Sequence, residues 1–206
     1  MLRLLSGILA GAIVLSTWNA AYWLTIGRLA VGVIPDEAAV TSAIRERVPG
    51  PGAYFFPGVP RGEISDAQQR DFLERHRRGP IGMLIVHEPG GGEMMEARTL
   101  VLGFAIPLIT AALITLVLRS VAGGSALLGR WRVAILMGLA AAVGTHGLQW
   151  NQFHLPGSYS AFLVADIAIS WALAGGVIAA ILSPRTATRE GAVEQRHAPD
   201  GTSRRH

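Results

Sequence analysis

The sequence predicts an all-α membrane protein: a four-transmembrane-helix bundle with a small α/β extracytoplasmic loop domain between helices one and two. Three observations predict it. Half of the 206 residues are hydrophobic and 16% are charged, against about 25% charged in a soluble domain, and the mean hydropathy is +0.39. Long runs are almost free of charge, and each is bracketed by arginine. Those arginines are also unevenly shared between the two ends of the runs.

Arg3 and Arg28 bracket the first run, which reads as a helix near 4–27. It is too long for a signal peptide, contains Trp18, Tyr22 and Trp23, and is followed by no small-x-small cleavage site. It therefore reads as an uncleaved span. Arg98 and Arg119 bracket a second span near 99–118. Between Arg132 and Arg185 the acids, bases and imidazoles reduce to His146, His154 and Asp166. That run exceeds the roughly 20 residues of one crossing. Asn151, Pro156, Gly157 and Ser158 offer a turn near its middle, giving spans near 133–151 and 160–182. Pro107 is expected to kink span two, with Thr110 helping to satisfy the freed backbone. The organisation is then 1–34, transmembrane helix one; 35–98, a periplasmic α/β cap; 99–182, helices two to four; and 183–206, a disordered cytoplasmic tail.

Orientation follows the arginines. The N-tail, the connection holding Arg119, Arg130 and Arg132, and the C-tail carry 9 Arg against 3 acids, and the turn between spans three and four carries none. Both termini are expected in the cytoplasm of a bacterial inner membrane. The segment from Arg28 to Arg98 has 9 Arg and 10 acids, so the basic pI of about 10.6 is the positive-inside bias, and no nucleic-acid partner is predicted.

Within the cap, "DEAAVTSAIRERV" has helical spacing, with acids in its first turn and arginines in its last. "AYFFPG" reads as an aromatic strand. Ser65 and Gln68 resemble a capping box that opens a helix through "DAQQRDFLERHRR". Gly79-Pro80 ends it, and "IGMLIVHE" reads as a strand. Tyr54–Phe56 is expected to pair with Met83–Val86. So small a unit buries little core of its own, so it should rest on the membrane helices or on a partner.

The segments "IPDEAAVTSAIRERVPGPGAYFFPG", "RRGPIGMLIVHEPGGGEMM" and "LQWNQFHLPGSYSAFLVADIAISWALAGGVIAA" resemble recurring blocks of a family of small bacterial inner-membrane proteins with four transmembrane helices, one periplasmic loop and no assigned activity. The likeness covers most of residues 1–182. It implies a topology and brings no catalytic residues. Members often carry a more aromatic turn between the last two helices, where this chain has Gln152, Phe153 and His154.

The site candidates are polar groups inside or beside the spans, because an ionisable residue in a bilayer is costly and marks function by default. Asp166 and His146 fall at similar depth in neighbouring antiparallel helices. They could hydrogen-bond, either as an acid/base pair with a catalytic role or as a helix lock. Trp18, Asn19, Trp150, Asn151 and His154 lie near them and are candidate ligand contacts, although Trp and Tyr also favour the interface for its own sake. No metal site is predicted. His87, Met94 and Met95 are too few ligands for copper, and 146, 154 and 166 lack metal-ligand spacing. No cofactor is predicted either, since only His146 is well inside a span and a di-histidine haem needs two imidazoles. The chain has no cysteine, so thiolate chemistry is excluded, and the 90–92 glycine run lacks the Gly-Lys-Ser/Thr of a P-loop.

The sequence holds no complete catalytic constellation. The reading it favours is a non-enzymatic accessory or assembly protein acting through its periplasmic cap. Its partners would be the lipid bilayer and a membrane or periplasmic protein, or further copies of itself. The small residues Gly7, Gly11, Gly138, Gly144 and Ala174–Gly176 allow close helix approach, either between spans of one chain or between copies. One alternative is a membrane enzyme or redox-linked protein with an outer-leaflet site around His146 and Asp166. A second is a small transporter.

Overall fold

In lipid, every backbone polar group must find its partner within the chain, so apolar runs without charges become helices. The computed structural model describes residues 1–87, 96–121 and 127–183. It contains four helices long and apolar enough to cross a membrane: Leu2–Thr25, Ala97–Ser120, Leu127–Phe153 and Gly157–Leu182, spans one to four. Span four is central. It packs along spans one and three, while span two lies against span one and touches span four more lightly.

The close approaches are made by small residues. A Cβ on Gly11 would sit 2.7 Å from Ile178 Cδ1 and 3.2 Å from the Ala111 methyl, so spans two and four both press onto span one there. A Cβ on Gly138 would lie 2.5 Å from Trp171 Cβ, and one on Gly175 would collide with the Ala134 methyl. Trp131 lies over Gly176, and its indole N–H donates to the Ala172 carbonyl at 2.8 Å. These small residues pack spans against each other within one chain, where the sequence left open whether they served neighbouring copies. Gly144 is different, since a Cβ there would meet nothing within 4 Å.

Span three begins at Leu127, earlier than the expected start near 133, and so takes Arg130 and Arg132 into its first turns. The reason is visible at Arg130. Its Nε donates to the Leu118 carbonyl at 3.2 Å, and its Nη1 donates to Ser183 Oγ at 3.4 Å. One guanidinium therefore serves the carbonyl ends of spans two and four, where orphan acceptors and the helix dipole favour a cation. Pro107 does lie inside span two. Thr110, however, donates to the Ile106 carbonyl at 3.0 Å. The carbonyl deprived of its donor by Pro107 is that of Gly103, four residues back, so the expected rescue by Thr110 is not made.

The cap contains the helix Glu37–Arg47, strand β1 (Gly52–Phe56), the helix Asp66–Arg78 and strand β2 (Gly82–Val86). The strands pair antiparallel, with Tyr54 opposite Leu84 and Phe55 opposite Met83. The Asp36 carboxylate accepts from the Ala39 N–H at 3.0 Å and starts the first helix. The Ser65–Gln68 capping box starts the second, and Gly79 ends it with a φ of 61°. Arg75 pairs with Asp71, and Arg78 with Glu74, on its exposed face, where such pairs contribute little. No residue between 35 and 87 is buried. The 90–92 glycine run, the Met94–Met95 pair and the tail beyond Ser183 lie outside the described residues.

Candidate functional site

Span one carries Trp18 and Tyr22 one turn apart, so their rings stack at 5.3 Å. Trp23 follows. An indole N–H below the interface needs an acceptor, and a carboxylate in a span needs donors. Asp166 and the two indoles meet both needs. Trp18 Nε1 donates to Asp166 Oδ1 at 2.9 Å, and Trp23 Nε1 donates to Oδ2 at 3.3 Å. The Tyr22 hydroxyl donates to the Phe162 carbonyl at 3.0 Å, while its ring stacks on Phe162 at 4.7 Å. Trp23 meets Phe162 edge-on at 5.0 Å. Spans one and four are thus clamped near the cap end by an aromatic cluster around one carboxylate.

Asp166 lies about 14 Å from the cap-side end of span four at 1.5 Å per residue, inside a helix long and apolar enough to cross a membrane. His146 is near enough to interact with it electrostatically. The expected hydrogen bond between them is not formed. His146 Nδ1–H donates to Gln149 Oε1 at 3.0 Å, and both Asp166 oxygens take indole protons. His146 sits in a π-helical turn, Val143–Gly147. The extra residue of such a turn rotates everything after it by roughly 100° relative to a regular helix, which a 3.6-residue reading of span three cannot anticipate. The Val-Gly-Thr-His-Gly run, with two glycines around His146, is the one signal of it in the sequence.

Asp166 also lines a cleft of about 440 Å3 between spans one, two and four, with Trp18, Asn19, Thr110, Ser170 and Trp171 among its walls. Span two borders it through Gly103, Ile106 and Pro107. No charge or motif marks Gly103 or Ile106 in the sequence, so neither stood out as a site residue.

The remaining candidates lie elsewhere. Trp150 is 55% exposed near the end of span three, and Asn151 is exposed beside it. His154 ends span three in the left-handed region, at φ 53° and ψ 38°, and its ring meets His76 of the cap at 5.5 Å. Next to it Phe153 meets Phe55 of β1 at 5.5 Å. These residues border a hollow of about 200 Å3 between cap and bundle. The five ligand-contact candidates therefore divide: Trp18 and Asn19 share the Asp166 cleft, whereas Trp150, Asn151 and His154 belong to the outer turn. Among the described residues, no three His, Asp or Glu side chains converge as a metal site.

No family model, curated protein or solved structure matches the chain.

Proposed function

We propose that this is an integral membrane protein of the bacterial inner membrane, threaded with both termini in the cytoplasm, and that it works as a non-enzymatic accessory or assembly protein by docking its periplasmic cap on a membrane or envelope protein. The likeness to small four-span inner-membrane proteins and the arginine bias support the threading. One observation carries the functional part: a unit with two capped helices and a paired hairpin in which no residue from 35 to 87 is buried. Ile85 is 71% exposed and Val59 63%. A fold this small is stabilised only by burying apolar surface, and exposed apolar residues on an ordered unit mark an interaction surface. The bundle supplies part of the cover through Phe153 and His154, and a partner supplies the rest.

Copurification of the tagged full chain in mild detergent tests this. A stoichiometric partner is expected, lost on Ile85→Glu while the thermal unfolding of the bundle stays unchanged. A chain that always emerges alone, with or without Ile85→Glu, sinks the proposal. The enzyme and transporter readings both rest on Asp166. Its engagement by two indoles, with no hydrogen bond from His146, supports a binding role for that carboxylate over proton transfer.

A further inference from the structure

We propose that the cleft between spans one, two and four is a binding site for an amphiphile with a primary ammonium head, held by Asp166 with its tail in the surrounding lipid. This stands apart from the docking role of the cap and can fail without it.

The first support is the balance of donors and acceptors. Trp18 and Trp23 spend their indole protons on Asp166. The Ser170 hydroxyl donates to its own helix at the Ile167 carbonyl, 3.0 Å away, and Thr110 donates to Ile106, also at 3.0 Å. Both hydroxyl oxygens therefore keep only acceptor capacity. Gly103, also on the cleft wall, has a carbonyl whose helical donor is replaced by Pro107. A carboxylate has about four acceptor positions, of which the indoles use two. Among the lining side chains only Asn19 and Trp171 retain an unspent N–H. Such a wall complements a group with three donors and no acceptor, which is an ammonium.

The second support is charge. The ion pairs among the described residues lie on the cap, Arg75–Asp71 and Arg78–Glu74, and none reaches Asp166. Charged groups inside a bilayer are paired with one another or with a ligand counter-ion. Its titratable neighbours His146 and Tyr22 are engaged elsewhere, with Gln149 and with the Phe162 carbonyl. Trp18 and Trp171 add two indoles to the walls, the ring type that attracts a cation most strongly.

The third is access. Span two has buried residues only from Ala111 onward, and Ile106 on the rim of the cleft is 61% exposed. The cleft therefore opens sideways at hydrocarbon depth, where an alkyl tail can remain in lipid while the head enters.

The test uses the full chain in phosphatidylcholine nanodiscs, titrated with dodecylamine and followed by tryptophan fluorescence, with dodecanol and dodecyl sulfate as controls. Saturable binding of the amine is expected, with only linear partitioning of the controls. Asp166→Asn should weaken the amine at least about tenfold, as befits loss of a charge-assisted contact. Thr110→Val, which keeps the shape and removes one acceptor, should weaken it about threefold and stays informative if Asp166→Asn does not fold. If phosphatidylethanolamine in the disc raises the apparent Kd of the amine, the natural occupant is a lipid head; if not, it is a free amphiphile. Both results uphold the site. Equal behaviour of amine, alcohol and sulfate overturns it, as does an amine affinity that neither substitution changes.

Discussion

The two halves of the bundle are built differently. Toward the end that carries Met1 and Ser183, Gly7, Gly11, Ala12 and Leu15 of span one, Ala111, Ile114, Thr115 and Leu118 of span two, and Ala174, Gly175, Ile178 and Ala179 of span four are all buried. Two apolar clusters fill this half, one around Ile114, Ala134 and Ile178, the other around Ala12, Ala111 and Ala174. Toward the cap, the buried set thins to Tyr22, Gly27, Ala142, Ser160, Phe162 and, near the middle, Ser170, and span two has none before Ala111. Helices in lipid gain nothing from hiding apolar surface, so association depends on close van der Waals contact and on hydrogen bonds. The first half relies mainly on close contact, with Arg130 and Trp131 adding hydrogen bonds between spans, and the second relies mainly on hydrogen bonds and stacked rings. The close-packed half has its hollow at its far end, about 410 Å3 bordered by Leu2, Arg3, Ser6 and Ile181, and is filled further in. The half held by Trp18, Trp23, Tyr22 and Asp166 keeps a cleft.

That contrast can be broken most forcefully at Gly175. Gly175→Leu places a side chain where the Ala134 methyl already stands, and overpacking of this kind costs about 3 kcal/mol. The expected result is a large fall in midpoint in detergent unfolding followed by circular dichroism. A near-native midpoint would mean that the two helices can separate freely. Arg130→Gln removes the guanidinium that bridges Leu118 and Ser183. It should cost about 1–2 kcal/mol, and titration with added Arg-like denaturants should be avoided when measuring it, since they mimic the lost group. Trp23→Phe keeps the ring against Phe162 and removes the longer of the two indole bonds to Asp166. A loss of about 0.5 kcal/mol is expected, small because the cleft leaves the carboxylate reachable by water or ligand. The smallest effect belongs to Gly103→Ala, whose new methyl meets nothing within 4 Å. It should be neutral or slightly stabilising in the same unfolding assay, by less than about 1 kcal/mol. If it were as damaging as Gly175→Leu, the described openness of the cap-side half would be wrong.

Much of the fold was legible because membrane insertion is a problem of length and charge. The brackets Arg3/Arg28 and Arg98/Arg119 located two spans within a few residues, and the turn at 154–156 divided the last run. The Ser65/Gln68 cap and the pairing of the Tyr54–Phe56 segment with the Met83–Val86 segment were readable for the same kind of local reason, a capping pattern and a strand period, whereas the register that sets Tyr54 opposite Leu84 was not. The candidate site was legible in composition but not in pairing. Asp166 was conspicuous as the one acid in the spans, yet its partners came from span one, far away in sequence, and not from His146. The π turn at 143–147 moved His146 off the face a regular helix would give it. The role of Arg130 was hidden because a charge near a helix start looks like an ordinary flank until the ends of two other helices arrive beside it.

The sequence by itself determined that four segments are long and apolar enough to cross a membrane, and where the capped cap helices begin, since these depend on local hydropathy, charge and hydrogen-bond patterns. Only the tertiary structure decided which small residues were contacts, which acceptors Trp18 and Trp23 found, and that a cleft remains beside Asp166. Those depend on the rotation and separation of helices, which are set by non-local packing: a single inserted residue or a single glycine shifts an entire face while leaving the local pattern unchanged.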